Sequence, residues 1–136
     1  MAVSLYLDTS AILRAVLETG TSPGVEERIR VARVLITSRL SLVESARALF
    51  RLRLQGQLPE SRLADAERQI DSVWARCELW EITAAVCDTA SLVAPARPLR
   101  ALDAIHLATF VLARRRIAEL ELLTVDDRLR NAAAAV

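Results

Sequence analysis

The stretch Val3-Ser-Leu-Tyr-Leu-Asp-Thr-Ser10 begins as an apolar run and changes abruptly to acidic and hydroxyl side chains. A short apolar run that stops in this way is typical of a buried strand. Three later segments have the same character, the second of them more weakly: 34–37, 79–83 and 120–125. The sequence therefore predicts four strands, and an aspartate directly follows both the first and the last of them.

Helical patterns lie between these strands. Ser41 and Glu44 have the spacing of a capping box ahead of an apolar stripe, which predicts a helix that begins at Ser41. Three further segments are predicted to be helical: 63–77, 102–112 and 127–135. Strands that alternate with helices indicate a mostly parallel sheet with right-handed crossovers. We predict an α/β fold, a three-layer α/β/α sandwich around a mostly parallel sheet of four to five strands.

The bulk composition restricts the class of protein. The 136 residues, 53% of them hydrophobic, fit one compact domain over residues 1–136. No run resembles a signal peptide or a membrane span, which predicts a soluble, cytoplasmic protein. Net charge is +1, and all 18 basic residues are arginine, so a mechanism that needs a lysine is excluded. One histidine, and two cysteines outside any zinc-ligand spacing, argue against a Cys/His metal site.

Four acidic residues stand out by their positions. Asp8 directly follows the first predicted strand and Asp126 the last. In open α/β sheets the ligand site lies beyond the carboxyl ends of the strands, which is where both aspartates are expected. Glu44 and Asp103 lie near the starts of apolar helices, among hydrophobic neighbours. We interpret these four residues as candidates for one pocket.

Each acid also has a purely structural interpretation. Asp8 and Asp126 could be helix N-caps, where aspartate is favoured. Glu44 could be only the capping-box partner of Ser41, or could pair with Arg47 or Arg51 along the helix. Asp103 is harder to explain in this way, because it interrupts an apolar helix face and only Arg100 offers a base nearby.

Convergence of four carboxylates would create an electrostatic problem. At about 5 Å, each pair of charges repels by about 3 kcal/mol at an effective dielectric near 20. The sum would exceed the stability margin of a small domain, roughly 5–15 kcal/mol. A bound dication relieves this repulsion, and an all-oxygen ligand set suits Mg²⁺ or Mn²⁺ rather than zinc. Such sites carry out metal-assisted hydrolysis of phosphodiesters.

Four blocks of the chain together carry a resemblance to a known family: segment 7–13, the mid-chain Glu44, segment 102–109 and segment 122–129. In this order the chain resembles the PIN-domain nucleases, and among them most of all the VapC-type toxins of prokaryotic toxin–antitoxin pairs. The resemblance runs the full length of the chain, and the last two blocks are the most specific. It implies a parallel α/β/α sandwich, in agreement with the prediction from the strand and helix pattern.

The resemblance also implies residue roles, an activity and partners. Asp8, Glu44, Asp103 and Asp126 match the metal-binding acids of the family. Ser10 matches the hydroxyl residue that supports the first acid, and Thr124 the hydroxyl of a Thr-x-Asp element. The implied activity is that of an Mg²⁺- or Mn²⁺-dependent endoribonuclease that cleaves RNA. The implied partners are a second copy of the chain, forming a homodimer, and a small antitoxin protein that blocks the pocket.

Three further residues lie close in sequence to the four acids. Arg14, one to two turns after Asp8, is a candidate contact for substrate phosphate. Asp127 is predicted to cap the last helix. His106 lies three residues after Asp103, on the same side of the helix, and is interpreted as a packed core histidine, with an acid–base role as the alternative.

Two other classes of α/β phosphate-handling domain are alternatives to a nuclease. Response-regulator receivers and haloacid-dehalogenase-like phosphatases also place an aspartate after the first strand, but both need a lysine, which this chain lacks. The phosphatases also need a second aspartate at the position of Ser10. Two alternatives remain open within the same fold: a housekeeping RNA-processing nuclease, and a non-catalytic module that only binds a partner protein.

Overall fold

A parallel four-stranded sheet forms the centre of the protein in a computed structural model, which describes residues 3–18, 20 and 22–136. The strands are β1 (Ser4–Leu7), β2 (Val34–Ser38), β3 (Cys77–Trp80) and β4 (Leu120–Leu123). Their spatial order is β3-β2-β1-β4, and all three neighbouring pairs are parallel. In the register, Ser4 of β1 lies opposite Val34 on one side and Leu120 on the other. The predicted parallel α/β architecture is confirmed.

Helices connect the strands and cover both faces of the sheet. The structure has the following helices: α1 (Thr9–Leu17), α2 (Pro23–Val31), α3 (Arg39–Gln55), α4 (Glu60–Arg76), α5 (Ala84–Ala90), α6 (Ala101–Arg114) and α7 (Asp127–Ala134). In the described part of the chain, none is long and apolar enough to span a bilayer.

The start of α3 corrects one prediction. The helix begins at Arg39, and Ser38 is its N-cap, with the Ser38 hydroxyl accepting a hydrogen bond from the Leu40 N–H at 3.1 Å. Ser41 lies inside the helix, fully buried, and accepts a hydrogen bond from Thr37 at 2.7 Å. The predicted capping box of Ser41 and Glu44 is therefore wrong, because the end of β2 already provides the cap.

Alternating side chains of β1 divide the core in two. Leu5 and Leu7 pack on one face of the sheet with helices α1 to α4. Tyr6, between them, packs on the other face with α6 and α7. Right-handed crossovers explain this division: steps from β1 to β2 to β3 place helices on one face, and the return past β1 to β4 places them on the other.

The strand order fixes where a site can form. The chain moves from β1 towards β3 and later returns to pair β4 with the opposite edge of β1. Their carboxyl ends therefore mark the point where the strand order reverses, and a crevice forms there between diverging connections. Asp8 directly follows β1, and Asp126 comes three residues after the end of β4.

Candidate active site

Asp8 lies at the bottom of the site and is the N-cap of α1. The residue is only 4% exposed. Asp8 Oδ1 accepts hydrogen bonds from the Ala11 N–H at 3.1 Å and from Ser10 Oγ at 2.8 Å. Burial raises the pKa of Asp8, and hydrogen bonds from Thr124 and Ser10 oppose that effect. Asp8 is thus both a helix cap and a buried carboxylate held in place by hydroxyl donors.

Two hydroxyl side chains join the ends of β1 and β4. Thr124 Oγ1 donates to Asp8 Oδ2 at 2.6 Å and accepts from the Asp126 N–H at 3.0 Å. Ser10 Oγ lies 3.1 Å from Thr124 Oγ1 and accepts from the Val125 N–H at 3.1 Å. These contacts set the path of the chain after β4 relative to Asp8. The supporting positions predicted for Ser10 and Thr124 match this arrangement, although their catalytic relevance stays a prediction.

Asp126 is the N-cap of α7. Its Oδ1 accepts from the N–H groups of Arg128 at 2.9 Å and Leu129 at 3.4 Å. The prediction that Asp127 caps the last helix is wrong. Asp127 is the first helical residue, is exposed, and pairs with Arg130 at 2.5 Å. The extended backbone of Asp126 allows its side chain to turn back onto the free N–H groups of the first helical turn.

Glu44, in the second turn of α3, is held by a network that spans three other elements. Its Oε1 accepts from Thr9 Oγ1 at 2.6 Å and lies 2.6 Å from His106 Nε2. His106 Nδ1 lies 2.9 Å from the Tyr6 hydroxyl. Burial tends to raise the pKa of Glu44, but the hydrogen bonds from His106 and Thr9 outweigh it and lower the pKa. Glu44 therefore stays ionised, and its predicted alternative pairing with an arginine of its own helix is not seen among the described ion pairs.

Asp103, in the first turn of α6, differs from the other three acids in its hydrogen bonding. Among residues 3–18, 20 and 22–136, none forms a hydrogen bond or an ion pair with its carboxylate. Burial raises the pKa of Asp103, the charges of Asp126, Glu44 and Asp8 raise it further, and His106 opposes the rise. The structure thus places all four acids close enough to interact, and leaves one of them without a donor.

An open cleft of about 670 Å³ lies over these residues, lined by Glu44, Arg100, Ala101, Leu102, Asp103, Asp126 and Arg128. Asp8 lies below this cleft rather than in its wall. In the part of the chain that the structure describes, no group of three or more acidic, histidine or cysteine side chains is already arranged to bind a metal ion. The donor set nevertheless fits a hard dication, because it consists of oxygens only and includes the donorless Asp103.

Two arginines bring positive charge to the acid cleft. Arg100, the N-cap residue of α6, and Arg128, in the first turn of α7, both line it and are exposed. Neither side chain forms an ion pair with any residue that the structure describes. Arg14, the predicted phosphate contact, instead pairs with Glu18 at 2.5 Å and lines a different groove. The available cations of the cleft are therefore Arg100 and Arg128.

Several residues of the site were missed or undervalued by the sequence analysis. Thr9 and Tyr6 received no role, and His106 was interpreted as a packed histidine, with an acid–base role as the alternative. His106 is indeed buried, at 3% exposure, but it also contacts Glu44. Its position three residues after Asp103 was a usable signal. Nothing in the sequence indicated that Thr9, next to Asp8, reaches across to α3.

Comparison with known proteins gives a family assignment over nearly the whole chain. The PIN domain family model matches residues 5–135. Ribonuclease VapC35 of Mycobacterium tuberculosis is 35% identical over 134 residues, which cover 97% of this chain and 91% of that protein. Ribonuclease VapC45 of the same organism is 37% identical over 108 residues, which cover 77% of this chain and 73% of that protein.

Two solved structures share the fold. The crystal structure of PAE2754 from Pyrobaculum aerophilum aligns with a TM-score of 0.67 at 23% identity, over 97% of this chain and 81% of that one. The structure of VapBC2 from Rickettsia felis, bound to a DNA fragment from its promoter, aligns with a TM-score of 0.61 at 13% identity, over 91% of this chain and 100% of that one. At these identities the likeness concerns the fold alone.

Proposed function

The chain belongs to the PIN domain family, and within it to the VapC-type nucleases, and on that premise we propose that it is the ribonuclease toxin of a toxin–antitoxin pair. It hydrolyses RNA phosphodiesters with the help of Mg²⁺ or Mn²⁺. The observation that carries this proposal is the cleft itself, where Glu44, Asp103 and Asp126 meet above the buried Asp8 at the carboxyl edge of β1 and β4.

The electrostatics of the cleft support a cation requirement. The charges of Asp126, Glu44 and Asp8 all raise the pKa of Asp103, so the ionised cluster repels itself. Asp8 and Asp126 relieve part of that charge at the N-termini of α1 and α7, where backbone N–H groups favour anions. Asp103 has no comparable donor. A cation in the cleft would offset the negative charge of Asp103.

In this proposal, Glu44, Asp103 and Asp126 would hold the metal, with the buried Asp8 as the fourth acid beneath them. A dication held there would stabilise the negative charge that builds up on the phosphate and would lower the pKa of a water nucleophile. Arg100 and Arg128 bind the phosphates that flank the cleaved bond, since guanidinium groups form paired hydrogen bonds with phosphate oxygens. The walls of the cleft thus combine anionic metal ligands with cationic substrate contacts.

Cleavage assays test the enzymatic part of the proposal. The purified protein is expected to cleave RNA with Mg²⁺ or Mn²⁺ and to stop when EDTA is added. Asp103→Asn is expected to lower the rate by more than about 100-fold, because loss of a metal ligand should cost more than loss of a residue that merely orients one. Asp127→Asn is the matched control, since Asp127 is exposed and pairs with Arg130 outside the cleft. Equal rates with and without EDTA would refute the mechanism.

Cellular assays test the biological part. The toxin role draws on the likeness to Ribonuclease VapC35 and on the fold shared with VapBC2. It predicts growth arrest on expression of the chain alone, and rescue by co-expression of a small antitoxin that occupies the acid cleft. Homodimer formation is expected by the same reasoning and can be measured by light scattering. Growth without arrest, from a protein that cleaves RNA in vitro, would favour the housekeeping alternative.

A further inference from the structure

Glu44 is unusual among the four acids because a histidine holds it. Both Thr9 Oγ1 and His106 Nε2 lie 2.6 Å from the same oxygen, Oε1. Thr9 begins α1 and His106 lies in the middle of α6, so two elements that flank the sheet meet at one oxygen of a third element, α3. In the described part of the chain, no side chain or backbone group donates to Glu44 Oε2.

The chemistry of the groups fixes the direction of the hydrogen bond between His106 and Glu44. An ionised carboxylate only accepts, so His106 Nε2 must carry the proton that it shares with Glu44 Oε1. In a neutral imidazole, Nδ1 is then an acceptor, and the Tyr6 hydroxyl 2.9 Å away is its donor. Burial raises the pKa of Tyr6, so its hydroxyl keeps the proton it donates. With the imidazole neutral, the chain of donors runs from Tyr6 through His106 to Glu44.

This chain of donors is anchored in the rigid part of the fold. Tyr6 is a fully buried residue of the central strand β1, and His106 is 3% exposed. The Tyr6 ring contacts the rings of His106 and Phe110 at centroid separations of 6.1 Å. The imidazole therefore cannot rotate freely, and the position of its Nε2 is set by the sheet.

We propose that His106, backed by Tyr6 and assisted by Thr9, is a positioning residue that holds Glu44 by Oε1 and leaves Oε2 for a divalent cation. Hydrogen bonds to the back of a ligand of this kind tune metal affinity. The inference rests on the metal requirement proposed above. It assigns His106 neither a substrate contact nor a proton-transfer role.

Mn²⁺ binding in the absence of RNA tests the inference, by titration calorimetry or by the paramagnetic signal of free Mn²⁺. His106→Leu removes the donor to Oε1 and is expected to weaken Mn²⁺ binding about 10–100-fold. His106→Gln can place an amide N–H near the position of Nε2 and is expected to recover most of that loss. Val111→Ala, also in α6, removes packing from the cluster around Tyr6 without contacting His106 or Glu44, and is expected to bind Mn²⁺ like the wild type.

The outcomes separate positioning from a merely structural role. The inference would be overturned if a folded His106→Leu protein bound Mn²⁺ like the wild type. It would also be overturned if a folded His106→Gln protein bound Mn²⁺ as weakly as His106→Leu. If His106→Leu does not fold, Thr9→Val decides: it removes the other donor to Oε1, and unchanged Mn²⁺ affinity would overturn the shared role. A wild-type protein that binds no Mn²⁺ would refute the metal requirement of the proposed function itself, a result distinct from all of these.

Discussion

Thr124 offers a test of how the site is held together, because its one hydroxyl forms hydrogen bonds with two of the four acidic residues. Its Oγ1 donates to Asp8 Oδ2 at 2.6 Å and accepts from the Asp126 N–H at 3.0 Å. Thr124 is buried, at 4% exposure, so no solvent replaces these contacts when the hydroxyl is removed. Thr124→Val keeps the shape of the side chain and removes only its hydrogen bonding.

The expected loss of stability follows from these two contacts. A hydrogen bond to a charged group contributes about 1.5–3 kcal/mol, and the Asp126 N–H left without its acceptor adds about 1 kcal/mol. Thr124→Val should therefore lower the free energy of unfolding at pH 7 by about 2.5–4 kcal/mol. For a domain of this size, that corresponds to a Tm lower by roughly 10–16 °C.

The loss of stability caused by Thr124→Val should depend on pH. Burial raises the pKa of Asp8 above its unfolded value of 3.8, and the Thr124 donor opposes that rise. An acid whose folded pKa is raised costs stability as the pH rises through the window between the two values. Without Thr124 the folded pKa of Asp8 rises further and this cost grows. The gap between variant and wild type should therefore be widest at pH 7 and shrink as the pH falls and Asp8 becomes protonated.

Urea unfolding of metal-free protein, followed from pH 4 to pH 7.5, measures this difference. Thr109→Val is the matched control, since Thr109 is a fully buried threonine whose hydroxyl donates to the neutral carbonyl of Ile105 at 2.7 Å. Its loss of stability should not depend on pH. If Thr124→Val shows the same flat profile, then the hydroxyl does not stabilise the ionised form of Asp8, and the account of the site given above is wrong.

Three other measurements test separate parts of the structure. Asp103→Asn should raise the Tm of metal-free protein at pH 7 by about 2–4 °C, because it removes a carboxylate that burial and neighbouring charges disfavour; the gain should vanish in acid, where Asp103 is already protonated. Arg128→Gln should weaken RNA binding in EDTA and reduce the salt dependence of log K by about 0.7, whereas Arg68→Gln, paired with an acid of its own helix, should change neither. Iodoacetamide at pH 8 should label the exposed Cys87 much faster than Cys77, whose pKa burial raises to about 12, and equal labelling by mass spectrometry would contradict that burial.

The sheet could be predicted from the sequence because its signals are local. The run ending at Leu7 is apolar at consecutive positions, as a strand buried on both faces must be, and three of the four residues of β4 are leucine. Alternation of strands with helices then gives the parallel arrangement, and the rule for parallel sheets places Asp8 and Asp126 at one edge. The third strand was predicted two residues late, since it begins at Cys77, and the exposed Glu78 interrupts its apolar run.

The contacts of Glu44 could not be predicted, because they depend on packing between distant segments. Thr9 lies 35 positions before Glu44, and His106 lies 62 positions after it. A rotation of α3 by one residue would move Glu44 by about 100° around the helix axis and break both contacts. The start of α3 was itself predicted two residues late, at Ser41 rather than Arg39. No sequence pattern specifies this rotation; the cap at Ser38 and the burial of the apolar face determine it together.

The structure also changes the electrostatic argument for a metal. Treated as bare charges, four converging carboxylates would repel by about 3 kcal/mol per pair. The fold reduces this repulsion before any cation arrives, because hydroxyl groups hold Asp8, His106 and Thr9 hold Glu44, and the N-terminus of α7 holds Asp126. Asp103 is the acid that receives no hydrogen bond or ion pair from the described residues. Asp103 is therefore the acid whose charge a bound cation would offset most. Neutralising this carboxylate should remove the stabilisation that the metal gives and should stabilise the metal-free protein.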